Sequence, residues 1–102
     1  MKALIAEDNA ISAKILDLNL RKHGFETTVV ASGTTALDYL KAHPDCSLLI
    51  ADILMPEMDG LTLLAKIRSE ASIRHVPVIV CTSKNDMETV RKVASLGYTS
   101  FL

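Results

Sequence analysis

Leu48-Leu49-Ile50-Ala51-Asp52 is the stretch of this 102-residue chain that decides the fold. Aliphatic residues in an unbroken row, with no alternation between apolar and polar positions, are typical of a strand that is covered on both faces. Such strands belong to parallel sheets with helices on each side, so the run predicts an α/β fold. Asp52 then stands at the carboxyl end of the strand, the edge where open α/β sheets bind ligands.

Similar short apolar runs recur along the chain. They alternate with longer segments whose apolar residues return every three or four positions. This alternation indicates βαβ units joined by right-handed crossovers, and therefore a doubly wound parallel sheet. The predicted strands are residues 3–6, 27–31, 48–51, 78–82 and 99–102.

Capping residues and apolar stripes mark four helices between these strands. The candidate caps of the first, third and fourth helices are Asn9, Asp59 and Asn85, and the second helix is predicted to start near Ser32. The predicted apolar stripes are Ile11, Ile15 and Leu18 in the first helix, Ala36, Leu37 and Leu40 in the second, Leu61, Leu64 and Ile67 in the third, and Met87, Val90 and Val93 or Ala94 in the fourth.

Composition excludes several classes of protein. Eleven Lys and Arg residues against twelve Asp and Glu residues give a net charge of −1, and the basic residues are scattered, so the domain itself is not expected to bind nucleic acid. No apolar stretch approaches the ~20 residues that cross a bilayer, and no signal peptide precedes Glu7, so a cytoplasmic protein is expected. Cys46 and Cys81 are predicted to be reduced, buried thiols.

Acidic residues follow two of the predicted strands. Glu7 and Asp8 follow the first and Asp52 follows the third. If these strands are neighbours, their ends lie about 4.8 Å apart. Two carboxylates ~4 Å apart repel by about 4 kcal/mol at an effective dielectric constant near 20, so either a raised pKa or a bound divalent cation must relieve the repulsion. Oxygen ligands without nearby His or Cys favour Mg²⁺ or Mn²⁺.

Polar residues at strand ends also have purely structural interpretations. Asp8 can cap a helix, and the Thr82 hydroxyl at the end of the fourth strand can bond to the backbone. Because the three acids and Thr82 all fall at the ligand-binding edge of the predicted sheet, a functional site is favoured over these separate structural roles. Asp52 lies where apolar residues meet solvent, an environment that suits a reactive carboxylate that carries a covalent intermediate.

The segment from Asp52 to Gly60, DILMPEMDG, resembles the phosphorylation loop of response-regulator receiver domains, in which an M-P-x-M-D-G pattern follows the acceptor aspartate. Residues 7–8, 77–83 and 97–102 match the same family in order and spacing. The resemblance implies one receiver domain over residues 1–102, with a flavodoxin-like, five-stranded sheet of order 2-1-3-4-5. It also implies a switch that catalyses its own phosphorylation and is not a turnover enzyme.

The resemblance also implies roles for individual residues. Asp52 would accept a phosphoryl group from a sensor histidine kinase or phosphotransfer protein, and Thr82 and Phe101 would relay the change. The implied ligands of Mg²⁺ are Glu7, Asp8, Asp52 and the backbone carbonyl of Leu54. Other implied partners are an output domain after this segment and a second copy bound through the face formed by strand 4, helix 4 and strand 5.

Two departures from the family pattern affect what is expected. Receivers continue, directly after the position of Leu102, with a lysine, a proline and a fifth helix, so the chain is expected to be a C-terminally truncated piece of a longer protein. Apolar Leu54, two residues after the acceptor, cannot orient a water molecule, so slow loss of the phosphoryl group is expected.

The sequence is also compatible with two other functions. A Mg²⁺-dependent phosphohydrolase with an aspartyl nucleophile is disfavoured, because Leu54 occupies the place of its acid/base aspartate. A receiver-like pairing module that is never phosphorylated is the structural alternative.

Overall fold

Five strands and three helices make up the part of the chain that the computed structural model describes, namely residues 1–52, 58, 60–81 and 100–101. The fourth predicted helix, with Asn85, lies outside these residues. The elements, in chain order, are β1 Lys2–Ala6, α1 Ala10–Lys22, β2 Glu26–Val30, α2 Gly33–Ala42, β3 Leu48–Asp52, α3 Gly60–Ser69, β4 Val78–Cys81 and β5 Ser100–Phe101.

All the strands run parallel in one sheet of order β2-β1-β3-β4-β5. This confirms the predicted flavodoxin-like topology. Consecutive strands are joined through helices in the first half of the chain, so the carboxyl ends of all strands lie at the same edge. The register pairs Ala6 of β1 with Ala51 of β3, which makes the residues after them neighbours at that edge.

The main core lies between the sheet and the helices α2 and α3. It contains the predicted inward residues of α2, and it explains why β1 and β3 are apolar throughout, since their alternate residues face this layer and the layer of α1. The cluster consists of Leu4, Ala6, Leu49, Ala51 and Val78 from the sheet, Ala36, Leu37 and Leu40 from α2, Leu63, Leu64 and Ile67 from α3, and Cys46, Ile73 and Val76 from connecting segments.

The predicted apolar stripe of α1 is wrong. Its members are exposed: Ile11 at 75%, Ile15 at 56% and Leu18 at 52%. Helix α1 packs on β1 and β2 with Ala13, which is 5% exposed, and with half-buried Leu16 and Leu20. The helix carries two apolar rows at helical spacing, and the row that contains the small Ala13 lets the backbone approach the sheet closely, so periodicity alone does not choose between them.

Helices α1 and α2 begin directly after a capping residue. The side chain of Asn9 accepts a hydrogen bond from the Ser12 N–H at the start of α1, and Ser32 accepts one from the Thr35 N–H at the start of α2. Gly24, with φ at 86°, follows the end of α1 and lets the chain turn back into β2. Asp59, the predicted cap of α3, lies outside the described residues.

Cys46 is a buried free thiol, as predicted, whereas the side chain of Cys81 lies outside the described part. The Cys46 sulfur lies 3.3 Å from the Leu48 carbonyl oxygen. Within the described ranges, no helix combines the length and apolar character that a bilayer crossing requires.

Candidate functional site

Three carboxylates meet at the carboxyl-terminal edge of the sheet. Glu7 and Asp8 follow the last residue of β1, and Asp52 is the last residue of β3. Because β1 and β3 are hydrogen-bonded neighbours in register, one carboxylate oxygen from each of the three acids lies within 4.8 Å of the others. The structure therefore brings together the three acids that the sequence assigns to one site.

Glu7 is the most firmly held member of the cluster. Its residue is 9% exposed, and its backbone N–H donates to the Val30 carbonyl oxygen at 3.0 Å, which extends the pairing of β1 with β2 by one residue. Its carboxylate accepts a hydrogen bond of 3.0 Å from the backbone N–H of Asn9. Glu7 thus points at the amino-terminal end of α1, where the helix dipole favours negative charge.

Asn9 has a role that sequence reasoning assigned only in part. It was predicted as the cap of α1, and its side chain does accept the Ser12 N–H at 3.0 Å. The same residue also orients Glu7 through its backbone N–H. The sequence signal for this contact is an acidic residue two positions before a capping Asn. Backbone N–H groups at the start of a helix have no partner within the helix, so a nearby carboxylate can accept a hydrogen bond there.

Burial raises the pKa of Glu7 from its usual 4.5 to about 7, with the nearby charge of Asp52 acting in the same direction and the Asn9 N–H opposing it. Burial thus disfavours the charged form of the Glu7 carboxyl in the folded protein, and the negative charge of Asp52 adds to this effect. A proton relieves the repulsion in the absence of a cation, and a cation can take its place.

The donor set fits a hard divalent cation. All three side chains offer oxygen, and among the described residues this is the group of acidic, His or Cys side chains close enough to hold an ion together. Glu7 is buried, Asp52 half-buried and Asp8 exposed, so the cluster opens to solvent on one side. Carboxylates on one side with room for water and a substrate oxygen on the other suit Mg²⁺ and Mn²⁺.

The other predicted site residues are placed only in part. Leu54, whose carbonyl is a predicted ligand, and Thr82, the predicted switch hydroxyl, lie outside the described residues. The backbone of Phe101 lies in β5 opposite Val80 of β4, and its side chain also lies outside. Cys81, the residue before Thr82, is paired with Asp52 across β3 and β4.

Comparisons with known proteins agree with this architecture. The family model described as the response regulator receiver domain matches residues 3–102. The chain is 31% identical over 99 residues to the two-component response regulator ORR5 of rice, Oryza sativa subsp. japonica, covering 97% of this chain and 74% of the rice protein.

Solved structures give the same result. The signal receiver domain of a histidine kinase from Syntrophus aciditrophicus superposes with a TM-score of 0.91 at 33% identity, covering 99% of this chain and 76% of that one. The receiver domain of a sensor histidine kinase from Pseudomonas aeruginosa, with a magnesium ion coordinated in its active-site cleft, gives a TM-score of 0.89 at 25% identity, covering 99% and 82%. With a family match across residues 3–102 and a parallel sheet that carries three acids at its carboxyl edge, the chain belongs to the response regulator receiver domain family.

Proposed function

We propose that this receiver domain is a phosphoacceptor switch in which Asp52 takes up a phosphoryl group in the presence of Mg²⁺. The observation that carries the proposal is the convergence of Glu7, Asp8 and Asp52 within 4.8 Å at the carboxyl edge of the sheet. Membership of the family supports the general function, and the geometry supports the assignment to these residues. The donor would be the phosphohistidine of a sensor kinase or of a phosphotransfer protein.

Asp52 is the proposed nucleophile because it is half-buried at the end of β3 and flanked by acids that can hold a cation. An oxygen of its carboxylate attacks phosphorus while the bond from phosphorus to the donor's imidazole nitrogen breaks. That nitrogen takes up a proton, and Asp52 is left as an acyl phosphate. A divalent cation, held by Glu7, Asp8, Asp52 and the carbonyl of Leu54, would supply positive charge against the phosphoryl oxygens.

The product carries about two negative charges at a place that already holds acids, so it attracts nearby hydroxyl and N–H groups. We assign the response to Thr82 and Phe101. The strand register supports this assignment. Thr82 follows Cys81, which is paired with Asp52 of β3, and the preceding residue of β4, Val80, is paired with Phe101 of β5. A change at Asp52 therefore has a short route across β4 to β5, and from there to an output surface.

The test is phosphorylation by a small acyl phosphate, followed by mass spectrometry of the intact chain. We expect a gain of one phosphoryl group that requires Mg²⁺ and disappears in Asp52→Asn. Asp38→Asn is the matched control, because Asp38 is an exposed aspartate on α2 and should leave the labelling unchanged.

The two rival functions give different results in the same assay. Wild-type protein that binds Mg²⁺ but gains no phosphoryl group contradicts the proposal and favours a pairing module that is never phosphorylated. Steady release of phosphate from an added phosphate ester, blocked by Asp52→Asn, favours a phosphohydrolase. A single labelling event without turnover agrees with the switch.

A further inference from the structure

The first residue of α2, Gly33, packs unusually close to the segment that follows Asp52. A Cβ atom built on Gly33 would meet the carbonyl oxygen of Met58 and would lie 2.9 Å from the Met58 Cβ and 3.1 Å from its Cγ. Contacts below 3.0 Å to a Cβ atom are essentially never seen in proteins. Met58 therefore occupies space that any residue other than glycine at position 33 would fill.

The start of α2, against which Met58 packs, is capped and buried. Ser32, the cap of α2, is 8% exposed, and its hydroxyl accepts the Thr35 N–H at 3.2 Å and bonds to the Thr35 hydroxyl at 2.8 Å. Gly33 itself is buried. Met58 is half-buried and also packs against the main core, to which α2 itself contributes Ala36, Leu37 and Leu40.

The contact lies close to the acidic cluster along the chain. Asp52 is fixed at the end of β3, where it is paired with Cys81 of β4, and residues 53–57 connect it to Met58. Five residues separate Asp52 from Met58 in the chain, so a displacement of Met58 acts close to Asp52 along the sequence. Reacting groups that are misplaced by about 1 Å can lose 10²-fold in rate, so a displacement of this kind matters for chemistry.

We propose that Gly33 is a positioning residue for the acidic cluster: its missing side chain lets Met58 lie directly against α2, and this contact helps to hold Asp52, six residues earlier in the chain, in the geometry that binds Mg²⁺ and accepts the phosphoryl group. The inference rests on the proposed function. It assigns part of the control of the site to α2, which contributes no residue to the cluster.

The substitution Gly33→Ala separates this proposal from a simple effect of helix propensity. Alanine is the better helix former, so if Gly33 served only as the first residue of α2, Gly33→Ala would leave the protein equally stable or more stable and would not change the site. If the close approach of Met58 is what matters, the added methyl group pushes Met58 away and disturbs the site.

The experiment compares wild type, Gly33→Ala and Gly24→Ala by two measurements on the whole chain: the Mg²⁺ dissociation constant from titration calorimetry, and the rate of labelling by a small acyl phosphate at saturating Mg²⁺. Gly24→Ala is the matched control, because its φ of 86° strains any other residue while its Cβ would meet nothing within 4 Å. We expect Gly33→Ala to weaken Mg²⁺ binding and slow labelling by about tenfold or more, and Gly24→Ala to change neither beyond about twofold.

Gly33→Ala with wild-type affinity and rate overturns the inference, as does an equal loss in both glycine variants, which would indicate a general effect of stability. If Gly33→Ala does not fold, Met58→Gly replaces it, because this variant removes the Met58 Cβ and Cγ atoms that pack against Gly33 and against the main core, while Gly33 is unchanged. Weakened Mg²⁺ binding in Met58→Gly supports the inference, and unchanged binding overturns it. Wild-type protein that binds Mg²⁺ without being labelled contradicts the proposed function, while the Mg²⁺ affinities still decide the role of Gly33.

Discussion

Glu7 shows how one residue combines a structural and a chemical demand. Its backbone continues the sheet through Val30, and its carboxylate is held by the Asn9 N–H beside Asp52. Burial and the neighbouring charge raise its pKa to about 7, so the metal-free protein holds a proton there that the unfolded chain has lost above its usual 4.5. Folding is therefore coupled to pH at this residue.

This coupling gives a pH dependence with a definite sign. Between the unfolded pKa of 4.5 and the folded pKa of about 7, the folded state binds more protons, so the free energy of unfolding of the metal-free protein falls as the pH rises through this window. Urea unfolding in EDTA from pH 5 to pH 8 measures it. Glu7→Gln should remove most of the slope.

The Mg²⁺ form supplies the control for that experiment. Since the cation needs ionised ligands, its stabilising effect should increase over the same window as Glu7 loses its proton. A metal-free protein whose stability is flat from pH 5 to pH 8, or rises in parallel with that of Glu7→Gln, contradicts the assignment.

Leu54 leads to a prediction about the lifetime of the phosphorylated state. Hydrolysis of the acyl phosphate needs a water molecule oriented for in-line attack, and an aliphatic side chain two residues after the acceptor cannot orient one. Leu54→Asn should therefore shorten the half-life of phosphorylated protein by about tenfold or more, as a general base or water-positioning group does elsewhere. The decay is followed by mass spectrometry after removal of the phosphodonor, and Leu54→Met is the control of similar size. An unchanged decay in Leu54→Asn disproves the idea.

At the scale of elements, α1 is the place where the sequence pattern misleads. Both of its apolar rows have helical spacing, and the row with the larger side chains is the one left exposed. The polar contacts of Asp17 explain part of this orientation, because its carboxylate accepts hydrogen bonds from the Thr27 hydroxyl and from the Arg21 side chain, which lower its pKa. The contact with Thr27 turns the face that carries Asp17 toward β2.

This orientation predicts different costs for two similar substitutions. Leu18→Ala removes a side chain that is 52% exposed and should change the free energy of unfolding by less than about 0.5 kcal/mol. Leu40→Ala removes one that is fully buried in the main core and should cost about 2–5 kcal/mol. Urea denaturation of both variants measures the difference. Equal costs would mean that α1 packs with its other face.

At the scale of the whole molecule, the parallel sheet and the acids at its binding edge could be predicted from strong local signals, whereas the strand order that brings β1 beside β3 was predicted from the resemblance to receiver domains. Apolar strands that end in acids give the parallel sheet and its binding edge without further information. The face of α1 and the contact between Gly33 and Met58 could not be predicted in this way, since each depends on packing between segments that are distant in the chain. Thr82, Phe101 and Leu54 keep the roles predicted for them as proposals.

The position of β1 and β3 within the sheet has a consequence for how this domain can diversify. Both strands have a hydrogen-bonded neighbour on each side, so their amide protons should be among the slowest to exchange with solvent. Substitutions that accumulate on the border strand β2 and on the outer side of α1 leave this central scaffold intact. The periphery of the domain can therefore diversify without moving the strand ends that carry the three acids.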